Sequence, residues 1–300
     1  MAKMKIQISK DDFEQSILAA TSSHSEVFES VEPHFKESYQ RISMQILGEV
    51  GEKALETSEK ALETSEEALE TSENPWYNNS EELREAVIKT VCLDAFLSVV
   101  RHLDLVLTPT GFGVVANNEV SPASSSRVEA LIEQCRVAFI SSQQTVLALL
   151  CNVPGWGKTL QAKQGIQTIV WSFDAYRFLT GETSMTSKEW ASKLAAMQEA
   201  DATIRKLVSD EQMDDIMSQV RCERKSNWEE NEVRLMLMRC MIMLANDMLS
   251  AYSNERARLL SYLDRNLDKF PLYANSSAYK ANHFKEFNNE KSKPAFVFNA

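Results

Sequence analysis

One stretch in the first half of the chain, from Thr108 to Leu131, separates two long segments whose apolar residues recur with helical spacing. Gly111 and Gly113 flank Phe112, a β-branched pair follows, and turn-forming residues continue as far as Pro122. Glycine and proline at this density break a helix and favour turns. The pattern therefore predicts an extended loop or hairpin over 108–123, after which a helix begins again.

Outside that stretch the sequence favours helix. The 300 residues include only 8 Gly and 7 Pro, and long runs are rich in Ala, Leu, Glu, Gln and Lys. The predicted fold class is mainly α: one or more helical bundles, a short Gly/Pro-containing loop or hairpin, and a long extended C-terminal tail. The predicted divisions are an N-terminal helical half at 1–107, the loop at 108–123, a C-terminal helical half at 124–270 and the tail at 271–300.

Spacing and capping signals predict the helix bounds. The predicted helices cover 11–20, 33–50, 80–102, 126–150, 187–208, 210–224 and 228–252, with a short one ending near 270. A short strand is predicted over Met4–Ser9. Predicted N-terminal capping pairs are Ser9 with Asp12, Ser126 with Glu129, Thr186 with Glu189 and Ser209 with Gln212. Residues 151–184 are compatible with loop, short strand or helix.

An acidic heptad repeat occupies residues 53–73, as KALETSE, KALETSE and EALETSE. Its apolar seam alternates Leu with Ser, which is too thin for a stable coiled coil, and like charges recur at i,i+4. Two interpretations stay open. The repeat is either an acidic helical arm facing a partner or a lumen, or a solvated helical extension.

The last thirty residues place single aromatic side chains in a polar background without helical spacing. Such a segment is disordered alone, but spaced aromatic residues can order it on another surface. The segment 296–298 could add as an edge strand to a neighbour. Two interpretations stay open here too: docking on a partner subunit, or wrapping around the chain's own domain.

Charge and cysteine content limit the classes of protein to which this chain can belong. The net charge of −11 falls entirely in residues 1–104, which carry 10 Lys and Arg against 21 Asp and Glu. This balance argues against binding nucleic-acid phosphates. Five cysteines without a CxxC pair predict reduced thiols. No apolar run reaches about 18 residues and no signal peptide is recognisable, so we expect a cytoplasm-like compartment and no membrane.

No residue pattern indicates catalysis. The segment Pro154–Thr159 ends in Gly-Lys-Thr, but Asn152 stands where a phosphate-binding loop needs its first glycine, and Pro154 removes an amide donor. A turn between two elements explains the segment better. The four histidines lack metal-ligand spacing, and no GxSxG motif is present. We therefore predict no enzyme, with no catalytic, cofactor or metal residues.

The segment LDLVLTPTGFGVVANNEVSPASSSRVEALIE at 103–133, together with the late KPAFVF, resembles proteins of Bacteroidetes phages and prophages encoded among virion structural genes. A looser resemblance covers 188–300, and the heptad repeat departs from the pattern. The resemblance implies a head-to-tail connector, or neck adaptor: a mainly helical subunit of a homo-oligomeric ring beneath the portal, assembled in the bacterial host cytoplasm and located at the virion neck. It implies no cofactor.

The partners implied by this resemblance are further copies of the chain, the portal protein and tail or neck proteins, with DNA only as passing genome. The hypothetical interface residues are Phe112, Val114, Tyr273, Tyr279, Phe284, Phe287, Phe296, Val297 and Phe298. Alternatives are another phage tail or cargo structural protein, or a cellular helical scaffold; an enzyme using the degenerate Gly-Lys-Thr loop is more remote. A weak similarity between the two halves is also compatible with a structural duplication.

Overall fold

A computed structural model describes residues 4–17, 26–63, 76–103, 105–108, 111–114 and 124–283. Within these residues the chain is mainly α-helical, with one antiparallel pair of strands, so the predicted fold class is confirmed. The elements are α1 Lys10–Ser16, α2 Glu26–Ile42, α3 Gly48–Glu63, α4 Trp76–Val99, β1 Leu105–Thr108, β2 Gly111–Val114, α5 Ser125–Leu150, α6 Leu160–Gly165, α7 Phe173–Thr180, α8 Ser187–Val208, α9 Asp210–Val220, α10 Trp228–Ala245, α11 Leu249–Arg265, α12 Pro271–Ala274 and α13 Ser277–Asn282.

The helix predicted over 33–50 is longer and interrupted. It begins at Glu26, contains Pro33, and passes into a π-helical turn, Ser43–Leu47, before α3 begins at Gly48. Gly48 has a φ of 61°, and a Cβ there would lie 2.8 Å from the side chain of Gln161. The break at Gly48 therefore lies against a residue far away in the sequence. Residues 4–9 form no strand, so that prediction was wrong.

Helix α4 is the centre of the N-terminal half, since it packs against both α2 and α5. A buried hydrogen bond of 2.7 Å joins the hydroxyls of Thr90 on α4 and Ser142 on α5. Arg41 on α2 donates to Asp94 on α4 at 2.6 Å. In the C-terminal half, α10 packs against α8 and α11.

The capping predictions had mixed outcomes. The Ser9–Asp12 and Thr186–Glu189 capping boxes are present. Ser209 accepts from the Gln212 amide, but no reciprocal bond from the Gln212 side chain closes the box. The Ser126–Glu129 box was wrong, because α5 begins one residue earlier and the two side chains bond elsewhere: Ser126 to the hydroxyl of Ser124, and Glu129 to Arg101.

The helix predicted over 228–252 is two helices. Helix α10 ends at Ala245, and Asp247 has a φ of 56° before α11 begins at Leu249. The side chain of Asn246 donates to the carbonyl of Ile242 at 2.7 Å and accepts from Lys193 at 2.7 Å. The first bond satisfies a backbone carbonyl at the end of α10, and the second holds this end against α8.

The heptad repeat begins inside the folded core. Helix α3 continues through the first repeat to Glu63, and Leu55, the first seam leucine, is buried. Residues 64–73 lie outside the described residues. The two interpretations of the remaining repeat stay open.

Candidate interaction surface

The pairing register of the two strands places four apolar residues on one side of the hairpin. Leu105 pairs with Val114 and Leu107 pairs with Phe112. Directly paired residues of an antiparallel ribbon, and residues two apart on a strand, share a side. The four positions on this side are therefore all large and apolar.

The opposite side of the ribbon carries smaller residues. It carries Val106 opposite Gly113 and Thr108 opposite Gly111. Phe112 and Val114, predicted as interface residues, thus share one side with Leu105 and Leu107, which sequence analysis missed. Alternation of apolar residues in 105–107 was the available signal, but the pairing needed the strand register.

The predicted extended tail begins as folded structure. Residues 271–274 and 277–282 are helical, so the tail boundary at 271 was wrong. Phe270 and Tyr273 are fully buried, and the Tyr273 amide donates to the Gln212 side chain at 3.2 Å. Because the core holds Tyr273, it cannot act as a surface anchor in this conformation.

The end of this segment is fixed by a cluster of aromatic and polar side chains. The Tyr273 hydroxyl donates to Asp264 at 3.3 Å, and His283 approaches the same carboxylate at 3.1 Å. The Tyr279 ring stacks on His283 at 4.2 Å and meets Tyr273 edge-on. Burial, reinforced by the negative charge of Asp264, raises the pKa of Tyr273 to about 12.

Tyr273 and the half-buried Tyr279 therefore make contacts within their own chain. We call residues 271–283, which these contacts hold in place, the tail root. The other predicted tail anchors, Phe284, Phe287, Phe296, Val297 and Phe298, lie outside the described residues.

Some large apolar side chains of the described residues are exposed. They are Met44, Leu160, Phe178, Trp228, Met248, Leu249 and Leu272. The segments that carry Met44 and Leu160 are joined by a hydrogen bond, since Gln161 donates to the Met44 carbonyl at 3.2 Å. Sequence analysis missed these positions because an exposed apolar residue on a helix has no distinctive local pattern.

A charged cluster holds the N-terminal segment against α3. Lys5 lies 2.7 Å from both Glu52 and Glu56, and the Tyr39 hydroxyl donates to Glu52 at 3.1 Å. Hydrogen bonds to the two glutamates raise the pKa of Lys5, and burial followed by the charge of Glu52 raises the pKa of Tyr39. An open cavity of about 420 Å³ adjoins the cluster. Because these charged side chains pair with one another, the cluster is suited to holding the N-terminal segment on α3.

The Gly-Lys-Thr segment is a turn between α5 and α6, as the sequence favoured. The amides of Lys158 and Thr159 donate to Gly155 and Trp156 carbonyls within the turn. The Thr159 hydroxyl caps α6 by accepting from the Ala162 amide. These amide donors are therefore engaged within the turn and helix, unlike those of a phosphate-binding loop.

Two further observations concern the described residues. In that part of the chain, no three His, Cys, Asp or Glu side chains are gathered as ligands of a metal ion would be. None of its helices combines the length and the apolar character needed to span a bilayer.

Comparison with known protein families identifies a match. The profile of a family described as "Family of unknown function (DUF6712)" matches residues 45–166 and 240–283. The matched regions contain the last three residues of the π-helical turn, the hairpin and the tail root. Searches of curated proteins and of solved structures find no match. Because the profile covers more than half of the chain, the protein belongs to this family of unknown function, DUF6712.

Proposed function

We propose that the chain is a structural virion protein of the head-to-tail connector, or neck adaptor, type, acting as a subunit of a homo-oligomeric ring. The observation that carries the proposal is the hairpin with four large apolar positions on one side. A lone two-stranded hairpin is marginally stable in water unless another surface covers its apolar side. In the proposal, the neighbouring subunit or the portal supplies that surface.

A ring also needs an interface that joins two different faces of the subunit and closes on itself. The hairpin and the C-terminal tail offer two segments for such contacts. The tail root is held by α9 and α11 through Gln212 and Asp264, so its last residue, His283, has a fixed position on the subunit. A fixed origin raises the effective concentration of the tail at a neighbouring surface.

The uneven distribution of charge along the sequence is compatible with a ring through which DNA passes. Residues 1–104 hold the whole net charge of −11. An acidic surface repels phosphates, so DNA would pass without being held. No sequence-specific DNA contact is part of the proposal.

Deleting Lys293–Ala300 should abolish ring closure or docking on the portal. The deletion removes Phe296 and Phe298, the last aromatic residues, and leaves the root at 271–283 in place. Mass photometry of the full chain and the truncated chain, each alone and with purified portal protein, measures the effect. A truncated chain that assembles like the full chain contradicts the proposed role of the tail.

The hairpin is tested separately by two double substitutions. Phe112→Ser with Val114→Ser removes half of the apolar side, whereas Val106→Ser with Thr108→Ser changes the other side. We expect the first pair to shift assembly toward monomer by at least about tenfold, corresponding to roughly 1.4 kcal/mol or more, and the second pair to have little effect. Circular dichroism confirms that both variants keep their helices.

Equal behaviour of the two double variants would contradict the hairpin interface. A full chain that stays monomeric with and without portal protein would refute the connector proposal. It would favour a helical scaffold or another virion component.

A further inference from the structure

A groove without charged residues lies beside the N-terminal part of α8. Its volume is about 370 Å³, and it is bounded by the π-helical turn, α5, α6, α8 and the segment between α6 and α7. Among the described residues that line it, none carries a charge. The large apolar lining residues are Ile46, Ile140, Leu147, Trp171, Trp190 and Leu194.

The polar groups of this groove are side-chain amides. They belong to Gln45, Gln143, Gln144 and Gln164, so we call it the glutamine groove. A glutamine amide offers both a donor and an acceptor, as a peptide backbone does. A charged ligand would lose water here without meeting an opposite charge. The groove therefore fits an extended, uncharged peptide whose apolar side chains contact the lining and whose backbone pairs with the amides.

The walls of the glutamine groove are held in place by the subunit itself. Gln144 accepts from the Phe173 amide at 2.7 Å and donates to the Trp171 carbonyl at 3.2 Å, which joins this segment to α5. On the opposite wall, the Trp156 indole N–H donates to the Ile46 carbonyl at 3.0 Å. Because these bonds exist before a ligand arrives, binding requires little ordering of the groove.

The C-terminal tail contains a segment of matching chemistry. Residues 294–300, PAFVFNA, carry no charge and include Phe296 and Phe298. Side chains two residues apart share one side of an extended peptide, so both rings can meet the apolar lining together. The hairpin is apolar too, but its strands already pair with each other and offer the glutamines fewer free backbone groups. The tail segment is therefore the better match.

The glutamine groove and the tail root lie toward opposite ends of α8. The groove includes Leu194, whereas Asn282 of the tail root donates to the Leu207 carbonyl at 3.4 Å. Thirteen residues of helix separate these two positions, which corresponds to about 20 Å. The ten residues 284–293 can span at most about 35 Å. A contact between different ends of two subunits is the head-to-tail kind that a ring requires.

We infer that the glutamine groove is the docking site for residues 294–300 of a neighbouring copy of this chain. The inference rests on the proposed ring and names the surface that receives the tail. Phe296 and Phe298 pack against the apolar lining, and the glutamine amides bond to the backbone of the segment. Lys291 and Lys293, which precede the uncharged segment, stay in water outside the groove.

Photochemical cross-linking of the full chain tests this contact directly. Phe296 is replaced by the photoreactive analogue benzoylphenylalanine, and unlabelled and isotope-labelled chains are mixed before assembly, alone or with purified portal protein. Mass spectrometry then maps the cross-linked peptides. We expect cross-links from position 296 to the peptides that contain Ile140, Leu147 or Leu194. Pairs of one labelled and one unlabelled peptide should be among them, since only a contact between copies produces such pairs.

A charge placed in the groove tests the same contact by substitution. Gln143→Glu should weaken assembly at least about tenfold, because the uncharged tail segment gives the covered carboxylate no partner. Gln134→Glu is the matched control, since it makes the same change at an exposed position of α5 outside the groove, and it should have little effect. Mass photometry over a range of concentrations measures assembly, and circular dichroism checks that both variants keep their helices.

The results distinguish failure of this inference from failure of the connector proposal. A ring in which position 296 cross-links to surfaces outside the groove would overturn the inference and leave the ring standing. Cross-links to the groove within single chains only would show that the tail wraps its own subunit, which also overturns it. Equal assembly of the two glutamate variants would count against the groove as well. A chain that never assembles would refute the connector proposal and this inference together.

Discussion

Replacing Trp156 by alanine should lower the free energy of unfolding by about 3–5 kcal/mol. Trp156 is among the largest fully buried side chains in the described part of the chain. Its indole N–H donates to the Ile46 carbonyl in the π-helical turn at 3.0 Å. The substitution therefore removes a large apolar volume and leaves a buried carbonyl without this donor.

Two further substitutions separate these contributions, with urea unfolding followed by circular dichroism as the measurement. Trp156→Phe keeps most of the ring but removes the donor, so we expect a loss of about 1–3 kcal/mol. Trp228→Ala is the matched control, because that side chain is 72% exposed, and should cost less than about 0.5 kcal/mol. Equal losses at Trp156 and Trp228 would contradict the packing described here.

Replacing Gly157 by alanine should destabilise the fold by about 3 kcal/mol. An added Cβ would clash with the Arg221 carbonyl oxygen and would lie 3.1 Å from the Glu223 amide nitrogen. Both atoms belong to backbone, so no side chain can rotate away to make room. The turn at 156–158 and the turn at 221–223 would have to separate.

The neighbouring glycine provides the control for this substitution. Gly155 has a φ of 84°, but nothing lies within 4 Å of an added Cβ. Gly155→Ala should therefore cost only the strain of a left-handed backbone, about 1–2 kcal/mol. Thermal and urea unfolding of both variants test the order, and a larger loss at Gly155 than at Gly157 would disprove it.

Local sequence signals predicted most helices because their causes lie within a few residues. Ser9 with Asp12 and Thr186 with Glu189 form capping boxes across three residues, and both were confirmed. The same signal failed at Ser126, where Ser124 and Arg101 provide competing partners for the two side chains. A local pattern predicts structure only when no distant group competes for the same atoms.

The tail shows the limit of periodicity as a guide. Residues 271–283 have little helical spacing, yet α12 and α13 form there because Phe270 and Tyr273 enter the core and Gln212 accepts from the Tyr273 amide. Burial of two aromatic rings outweighs a weak local preference. The interface residues beyond 283 stay predictions.

The sequence by itself determined the helical class of this protein, the interruption near residue 108, and the turn at the Gly-Lys-Thr segment. Each follows from glycine, proline and apolar residues at short spacing. Only the tertiary structure decided which residues share the apolar side of the hairpin and why Gly157 must lack a side chain. The reason is that these two depend on strand register or on contacts between segments distant in the chain, which no local pattern encodes.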